Sequence, residues 1–341
     1  MAFLRFLHQV MRGESLQPVE ARAAMTLILR GEATTAQIAA FLAALHVKGE
    51  TPDELFGLAQ AMREHSVKVE HGIADEPVLD TCGTGGDGTG TANVSTIAAF
   101  VIAGAGVKVA KHGNRAASSR CGSADLLESL GAKLSLAPEA HARLLREAGI
   151  AFLFAPDHHP AMRHAAQARA ELKIRTTFNL LGPLTNPAGA TVQVVGAPSA
   201  RAAGLMAATL ARLGLERGFA VHGAGGLDEV STIGPTEVFR IEGGEVEART
   251  LTPEDFGVPR ATLDQLRGGG REENRAIALG VLGGGQGPHR DLVLVNAALA
   301  LVAAGRAGNP REGMLRAAES IGSGAAKRKL GQFLEGAGRA Q

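Results

Sequence analysis

The chain has 341 residues, 45% of them hydrophobic and 20% charged, with a formal net charge of +1. That composition belongs to a globular protein with room for two domains or one large one, and it excludes a disordered tail or a global basic field for nucleic acid. Tryptophan and tyrosine are absent, so stacking platforms for single-stranded nucleic acid lack material, and two cysteines are too few for a disulfide framework or a four-cysteine zinc site.

The N-terminal stretch MAFLRFLHQVMRGESL interrupts its apolar positions with Arg5 and His8 and has no small-residue cleavage site, so a secretory signal is not expected. The longest apolar run, Ile97 to Val107, is far short of the roughly 20 residues that span a bilayer, which predicts a cytoplasmic protein with no membrane partner. The first ~70 residues read as short helices. Thr34 and Gln37 have capping-box spacing ahead of Ile38, Phe41, Leu42 and Leu45, an apolar face that Gly49 ends. Thr51, Pro52 and Glu54 repeat the pattern as N-cap, first helical residue and reciprocal cap for a helix through Leu55, Leu58 and Met62. Helices this short do not each bury a full stripe, so their remaining apolar surface packs either on their own chain or against a partner subunit.

From Pro77 the pattern changes. PVLDTC, GVKVAK, GIAFLFA, TVQVVGAP and RGFAVHG are strand candidates, and NVSTIAAFVIAGAG, SADLLESLGA and APEAHARLLREAG between them are helical. The alternation predicts an α/β domain with a largely parallel sheet and ligands at the carboxyl ends of its strands. TEVFRIEGGEVEAR reads as an added hairpin about Gly243 and Gly244, and DLVLVNAALALVAAG and AAKRKLGQFLEG return to helix.

The glycine run DTCGTGGDGTGTANVST carries the chemistry. Gly83, Gly85 and Gly88 satisfy G-x-G-x-x-G, but a dinucleotide fingerprint also needs an acid about 20 residues on, and none stands between Asp87 and Asp125. A Walker loop is absent too. What remains is a strand, a glycine loop and a helix beginning near Asn93, whose free N–H groups favour an anion, with Asn93, Ser95 and Thr96 as side-chain donors; a flexible surface loop before an ordinary N-cap is the alternative. VAKHGNRAASS then sets Lys111, His112, Asn114, Arg115, Ser118 and Ser119 past the next strand, on the same sheet edge. Two cationic, polar loops on one edge suggest a polyphosphate. In HGAGGLDEVS, Asp228 and Glu229 also follow a strand; beside a phosphate site they read as Mg²⁺ holders, since magnesium takes one or two carboxylates plus waters and phosphates. His158, His159 and His164 have no zinc-site spacing, and RTTFNLLGPLTNP, with Pro183 and Pro187 near Gly182, reads as a rigid crossing between domains.

DTCGTGGDG, NVST, KHGNRAASS, GSADLLESLG, FLFAPDHHPAM, RTTFNLLGPLTNPA and HGAGGLDEVS together resemble the anthranilate phosphoribosyltransferase family over nearly the whole chain. The resemblance implies a small N-terminal helical domain, residues 1–72 with a contribution from about 170–190, and a larger α/β domain of nucleoside phosphorylase type, residues 73–341. It implies a homodimer through the helical domains, and transfer of phosphoribosyl from phosphoribosyl pyrophosphate to anthranilate in tryptophan biosynthesis. Gly83, Gly86, Asp87, Thr91, Asn93, Ser95, Thr96, Lys111 and Ser119 match the phosphoribosyl pyrophosphate site, and Val94, Arg115, Ser118 and Ser123 join the expected substrate-binding set. Ser95, Asp228 and Glu229 match magnesium ligands. Asn114 and Arg169 match anthranilate contacts, with Gly83, His112, His159 and Gly182 lining the route; Lys111, Asn114 and Arg169 are the expected catalytic residues.

Two positions depart from the family pattern. Gly225 stands where an acid or amide is common, and Lys173 where glycine is common, a change of small cost unless the backbone there has positive φ. A pyrimidine nucleoside phosphorylase would use different glycine and lysine motifs. A non-catalytic nucleic-acid-binding paralogue would have lost the acid pair and gained a basic groove, and a redox enzyme would need the missing acid.

Overall fold

The computed structural model describes residues 2–116 and 119–339. Four helices open the chain: α1 (Ala2–Met11), α2 (Pro18–Leu29), α3 (Thr35–Lys48) and α4 (Pro52–Glu64). Both expected capping boxes form. Thr34 Oγ1 accepts from Gln37 N at 3.3 Å while Thr34 N donates to Gln37 Oε1 at 3.0 Å, and Gly49 ends α3 at φ 81°. Glu54 does more than cap. Fully buried, it accepts from Thr51 N at 2.9 Å, from Leu16 N at 3.0 Å and from Lys48 Nζ at 2.8 Å, so the carboxylate that starts α4 also ties α3 and the α1–α2 turn to it.

The α/β part follows as β1 (Val78–Asp80), α5 (Val94–Gly104), β2 (Lys108–Gly113), α6 (Ser123–Ser129), α7 (Pro138–Glu147) and β3 (Ile150–Phe154). The chain then crosses back through α8 (Ala155–His158), α9 (Arg163–Leu172) and α10 (Thr177–Leu181) to β4 (Val192–Gly196), α11 (Ala200–Arg212) and β5 (Arg217–Gly223). The hairpin is β6 (Thr236–Glu242) and β7 (Glu245–Leu251), turning at Gly243 and Gly244 with φ 58° and 84°. Helices α12 (Pro253–Phe256), α13 (Arg271–Leu282), α14 (Pro288–Ala303), α15 (Pro310–Gly322) and α16 (Ala325–Arg339) complete it.

The seven strands lie in the order β3-β2-β1-β4-β5-β6-β7, parallel from β3 to β5 and antiparallel beyond. The connections run outward in one direction from β1 and in the other from β4, which makes the β1–β4 gap the switch point where such sheets bind ligands. Strand periodicity divides the core. Val194, Phe219, Val221 and Val238 face the cluster built with α5, α14 and α16, while Val195, Ala220 and Ile241 face one shared with α1–α4, α9, α10 and α11. The helical unit therefore packs on one sheet face, and the crossing segment with Phe178, Leu181 and Leu184 is part of its core.

The structure meets the condition on which the cost of Lys173 depended. Lys173 caps α9 in the left-handed region, φ 51° and ψ 28°, the sole non-glycine residue with positive φ among those described. Its side chain meets a steric penalty there that glycine would not.

Candidate active site

The glycines answer to the acid pair. Gly83 follows β1, Gly196 ends β4 and Gly223 ends β5, and the Asp228–Glu229 loop lies across all three. A Cβ on Gly196 would stand 1.5 Å from the Asp228 carbonyl oxygen, one on Gly223 2.4 Å from that of Glu229, and one on Gly83 3.1 Å from Asp228 Oδ2. Only hydrogen fits at the first two. Gly85 and Gly86 hold φ 63° and 65°, and the Gly85 N–H donates to Asp228 Oδ2 at 2.8 Å.

Around this pair the strand ends converge. Lys111, buried on β2, donates from Nζ to Thr81 O at 3.1 Å and to Ser95 Oγ at 3.3 Å, and Ser95 N donates to Glu229 Oε1 at 3.3 Å on the first turn of α5. A crevice lined by Thr81, Gly83, Ser95, Gly196, Asp228 and Glu229 results. Asp87 is turned inward by Thr89, whose N and Oγ1 donate to it at 3.0 and 2.8 Å. Burial, then the charge of Asp87, push the Asp228 carboxyl up to about 7; burial and Asp228 push Glu229 well above the usual range. Three crowded carboxylates are an arrangement that a divalent cation relieves. No closed cage of three His, Cys, Asp or Glu side chains occurs among the described residues, and magnesium needs none, since substrate phosphates and waters supply its other ligands.

Beneath the site lies a buried support. Asp80, at the end of β1, accepts from His112 N at 3.1 Å and from Asn186 Nδ2 at 2.8 Å, and Asn186 also donates to Ala110 O at 2.8 Å. Complete burial raises the Asp80 carboxyl to about 6 despite the nearby Lys111 charge. Burial pushes the Cys82 thiol far up and that of Cys121 to about 11, the opposite of the lowering that activates a thiolate.

A family model described as the a/b domain of the glycosyl transferase family matches residues 75–327, and one described as its helical bundle domain matches residues 4–66. An anthranilate phosphoribosyltransferase of Solibacter usitatus is 58% identical over 330 residues, 97% of each chain, and that of Moorella thermoacetica is 54% identical over 325 residues, 95% of each. The crystal structure of the enzyme from Thermus thermophilus superposes with a TM-score of 0.92 at 46% identity, covering 97% of this chain and 99% of that one. The Saccharomyces cerevisiae enzyme in complex with phosphoribosyl pyrophosphate and Mg gives 0.90 at 31% identity over 98% of each. The chain belongs to the anthranilate phosphoribosyltransferase family. It is an enzyme of the pentosyltransferase class, moving phosphoribosyl from phosphoribosyl pyrophosphate to the amine of anthranilate.

The other residues expected of an anthranilate phosphoribosyltransferase site fall into separate groups. The His112 and His159 rings lie with centroids 5.2 Å apart, tilted by 49°, and His112 Nδ1 lies 3.1 Å from Gly182 O, to which it donates, leaving a buried Nε2 without a partner among the described residues. Burial is the main reason that His112 stays neutral, and burial with His158 brings His159 to about 4. Arg169 lies over the Phe178 ring at 5.3 Å, on α9. Asn114, Ser123 and Arg115 form an outer group: Ser123 Oγ donates to Asn114 O at 3.1 Å, and Arg115 makes a two-pronged pair with Glu128 at 2.6 and 2.7 Å. Ser119 is exposed, and Ser118 lies outside the described residues. Asn93 gives Nδ2 to Cys121 O at 2.9 Å, Val94 and Thr96 are buried, and Thr91 bridges to Arg267. Gly86 enters through its carbonyl, which accepts from Arg175.

Asp80, Asn186 and Arg175 were missed in the sequence. Asp80 had a signal, an acid closing an otherwise apolar strand; the other two sit in the crossing segment, where only their distant partners reveal a role.

Proposed function

We propose that this chain performs the family reaction by position and charge, with phosphoribosyl pyrophosphate at the β1–β4 edge and anthranilate approaching from the α9 side. The observation that carries this reading is the set of contacts at the switch point of the sheet: Gly85 N donates to Asp228, Ser95 N donates to Glu229, and Lys111 Nζ donates to Ser95 Oγ. Displacement of pyrophosphate leaves positive charge on the ribose and negative charge on the leaving group, which calls for fixed donors and cations rather than a nucleophile. Ser95, Asp228 and Glu229 would hold Mg²⁺, which when bound offsets the charge of the pyrophosphate oxygens. The Gly83–Gly86 loop and the start of α5 orient the phosphates, with Asp87, Thr91, Asn93, Lys111 and Ser119 around them. Arg169 and Asn114 fix the anthranilate carboxylate and ring so that the amine meets C1 of the ribose, with His112, His159 and Gly182 along its route.

The yeast relatives were solved with phosphoribosyl pyrophosphate and Mg, and with 4-fluoroanthranilate, which supports the same ligands here. A homodimer through the helical unit, residues 1–72 with the crossing near 170–190, fits the exposed Met11, Val19 and Val47 on α1, α2 and α3. No helix among the described residues is long and apolar enough to cross a membrane, and we place the enzyme in the cytoplasm, without nucleic-acid partners.

Loss of anthranilate fluorescence with phosphoribosyl pyrophosphate and Mg²⁺ tests the reading. Wild type should turn over in a magnesium-dependent manner, and Asp228→Asn combined with Glu229→Gln should lower the rate by at least about a hundredfold. Inactive, folded wild type would refute the proposal, and a double variant with an unchanged magnesium response would refute the metal placement.

A further inference from the structure

One cation reaches the glycine loop from outside the α/β sheet. Arg175 stands between α9 and α10, in the crossing that Thr177 ties to the helical unit by donating from Oγ1 to Glu50 Oε1 at 2.6 Å. Arg175 Nη1 donates to two successive carbonyls, Gly85 O at 2.8 Å and Gly86 O at 2.6 Å. Both glycines have positive φ and no side chain, so nothing of their own holds that conformation. On its other side the loop gives Gly85 N to Asp228 Oδ2. The loop is thus suspended between a guanidinium from the crossing and a carboxylate from the end of β5. The second terminal nitrogen, Nη2, is buried without a hydrogen-bond partner among the described residues. A buried guanidinium N–H left open is costly, so the pair of bonds from Nη1 to the loop carbonyls must offset that cost.

We infer that Arg175 is a positioning residue for the phosphoribosyl donor, holding the glycine loop in its phosphate-binding shape and coupling it to the crossing that joins the helical unit. This rests on the donor site proposed above. The loop lies at the sheet edge and α9 carries the acceptor-side Arg169, so loss of Arg175 should disturb the donor and spare the acceptor. Lysine can still donate to both carbonyls through one ammonium, whereas glutamine offers a shorter, neutral amide.

The test is steady-state kinetics of R175Q and R175K, varying each substrate at saturation of the other, with melting temperatures measured alongside. R175Q should raise KM for phosphoribosyl pyrophosphate by about tenfold to a hundredfold, the worth of a charge-assisted hydrogen bond, and move KM for anthranilate by less than about twofold. R175K should recover about half of that loss on a logarithmic scale, with a melting temperature equal to wild type. An unchanged donor KM in R175Q, an equal rise in both KM values, or losses in R175K that follow its melting temperature would overturn the inference. If R175Q does not fold, R175K decides alone: donor KM must rise more than acceptor KM. Wild type without donor-dependent turnover would refute the donor site itself, and this inference with it.

Discussion

Gly196→Ala puts the close approach of sheet edge and acid pair to the test. The new Cβ would sit 1.5 Å from the Asp228 carbonyl oxygen and 2.4 Å from its carbonyl carbon. Non-bonded heavy atoms settle at about 3.5 Å, so one partner must withdraw by roughly 2 Å. Gly196 is hydrogen-bonded in register between neighbours, pairing with Val221 of β5, whereas Asp228 lies on a loop, so the loop yields. Withdrawal breaks the 2.8 Å bond from Gly85 N and the 3.3 Å bond from Ser95 N. Each hydrogen bond to a charged acceptor is worth about 1.5–3 kcal/mol, and a displacement of about 1 Å at a reacting centre costs on the order of a hundredfold in rate. We expect kcat/KM to fall by about 10²–10³-fold and half-saturation by Mg²⁺ to move to higher concentration. Initial rates from anthranilate fluorescence across a magnesium titration, with thermal melts, measure both. Gly280→Ala is the control: on the exposed side of α13 its Cβ meets nothing within 4 Å, and alanine should add about 0.5–1 kcal/mol to a helix interior. A Gly196→Ala enzyme with wild-type rate and magnesium response would refute the steric account.

Two further predictions concern stability. Lys173→Gly relieves a left-handed lysine, whereas Lys173→Ala keeps the strain, so urea denaturation should place the glycine variant about 1 kcal/mol above the alanine variant; equal midpoints would show that the α9 cap carries no strain. His141 is fully buried with both ring nitrogens unpartnered among the described residues, and burial, then His158, brings it to about 4 from an ordinary 6.5. The unfolded chain therefore takes up the proton first, and stability is lost as pH falls from 6.5 towards 4, by roughly 3 kcal/mol from this group at the bottom of the window. His141→Leu should match or exceed wild type near neutral pH and lead it by roughly 2–3 kcal/mol near the acid end; an acid limb as steep as that of wild type would contradict the assignment.

Local patterns were legible because each is decided within a few residues. The cap pairs Thr34–Gln37 and Thr51–Glu54, the run Arg217–Gly223 and the Gly243–Gly244 turn follow from periodicity and side-chain reach. The family was legible for another reason: the phosphate loop, the lysine strand end and the acid pair are contiguous motifs, each with its own chemistry. Helices α11 and α15 carry the same kind of local signal, Ser199 and Asn309 accepting from Ala202 N and Glu312 N at their starts.

What required the tertiary structure is what depends on approach across the chain. Asp80 meets Asn186 over 106 positions, Gly85 meets Asp228 over 143 and Arg175 meets the glycine loop over 90. Sequence by itself supplied the donors, the acids and the glycines, because residue type determines what a group can bond. Which donor faces which acid, which glycine is a steric necessity and whether Lys173 is strained were decided by the β1–β4 switch point and the crossing packed over it. Burial and long-range geometry set those energies, and neither is a property of a short stretch of chain.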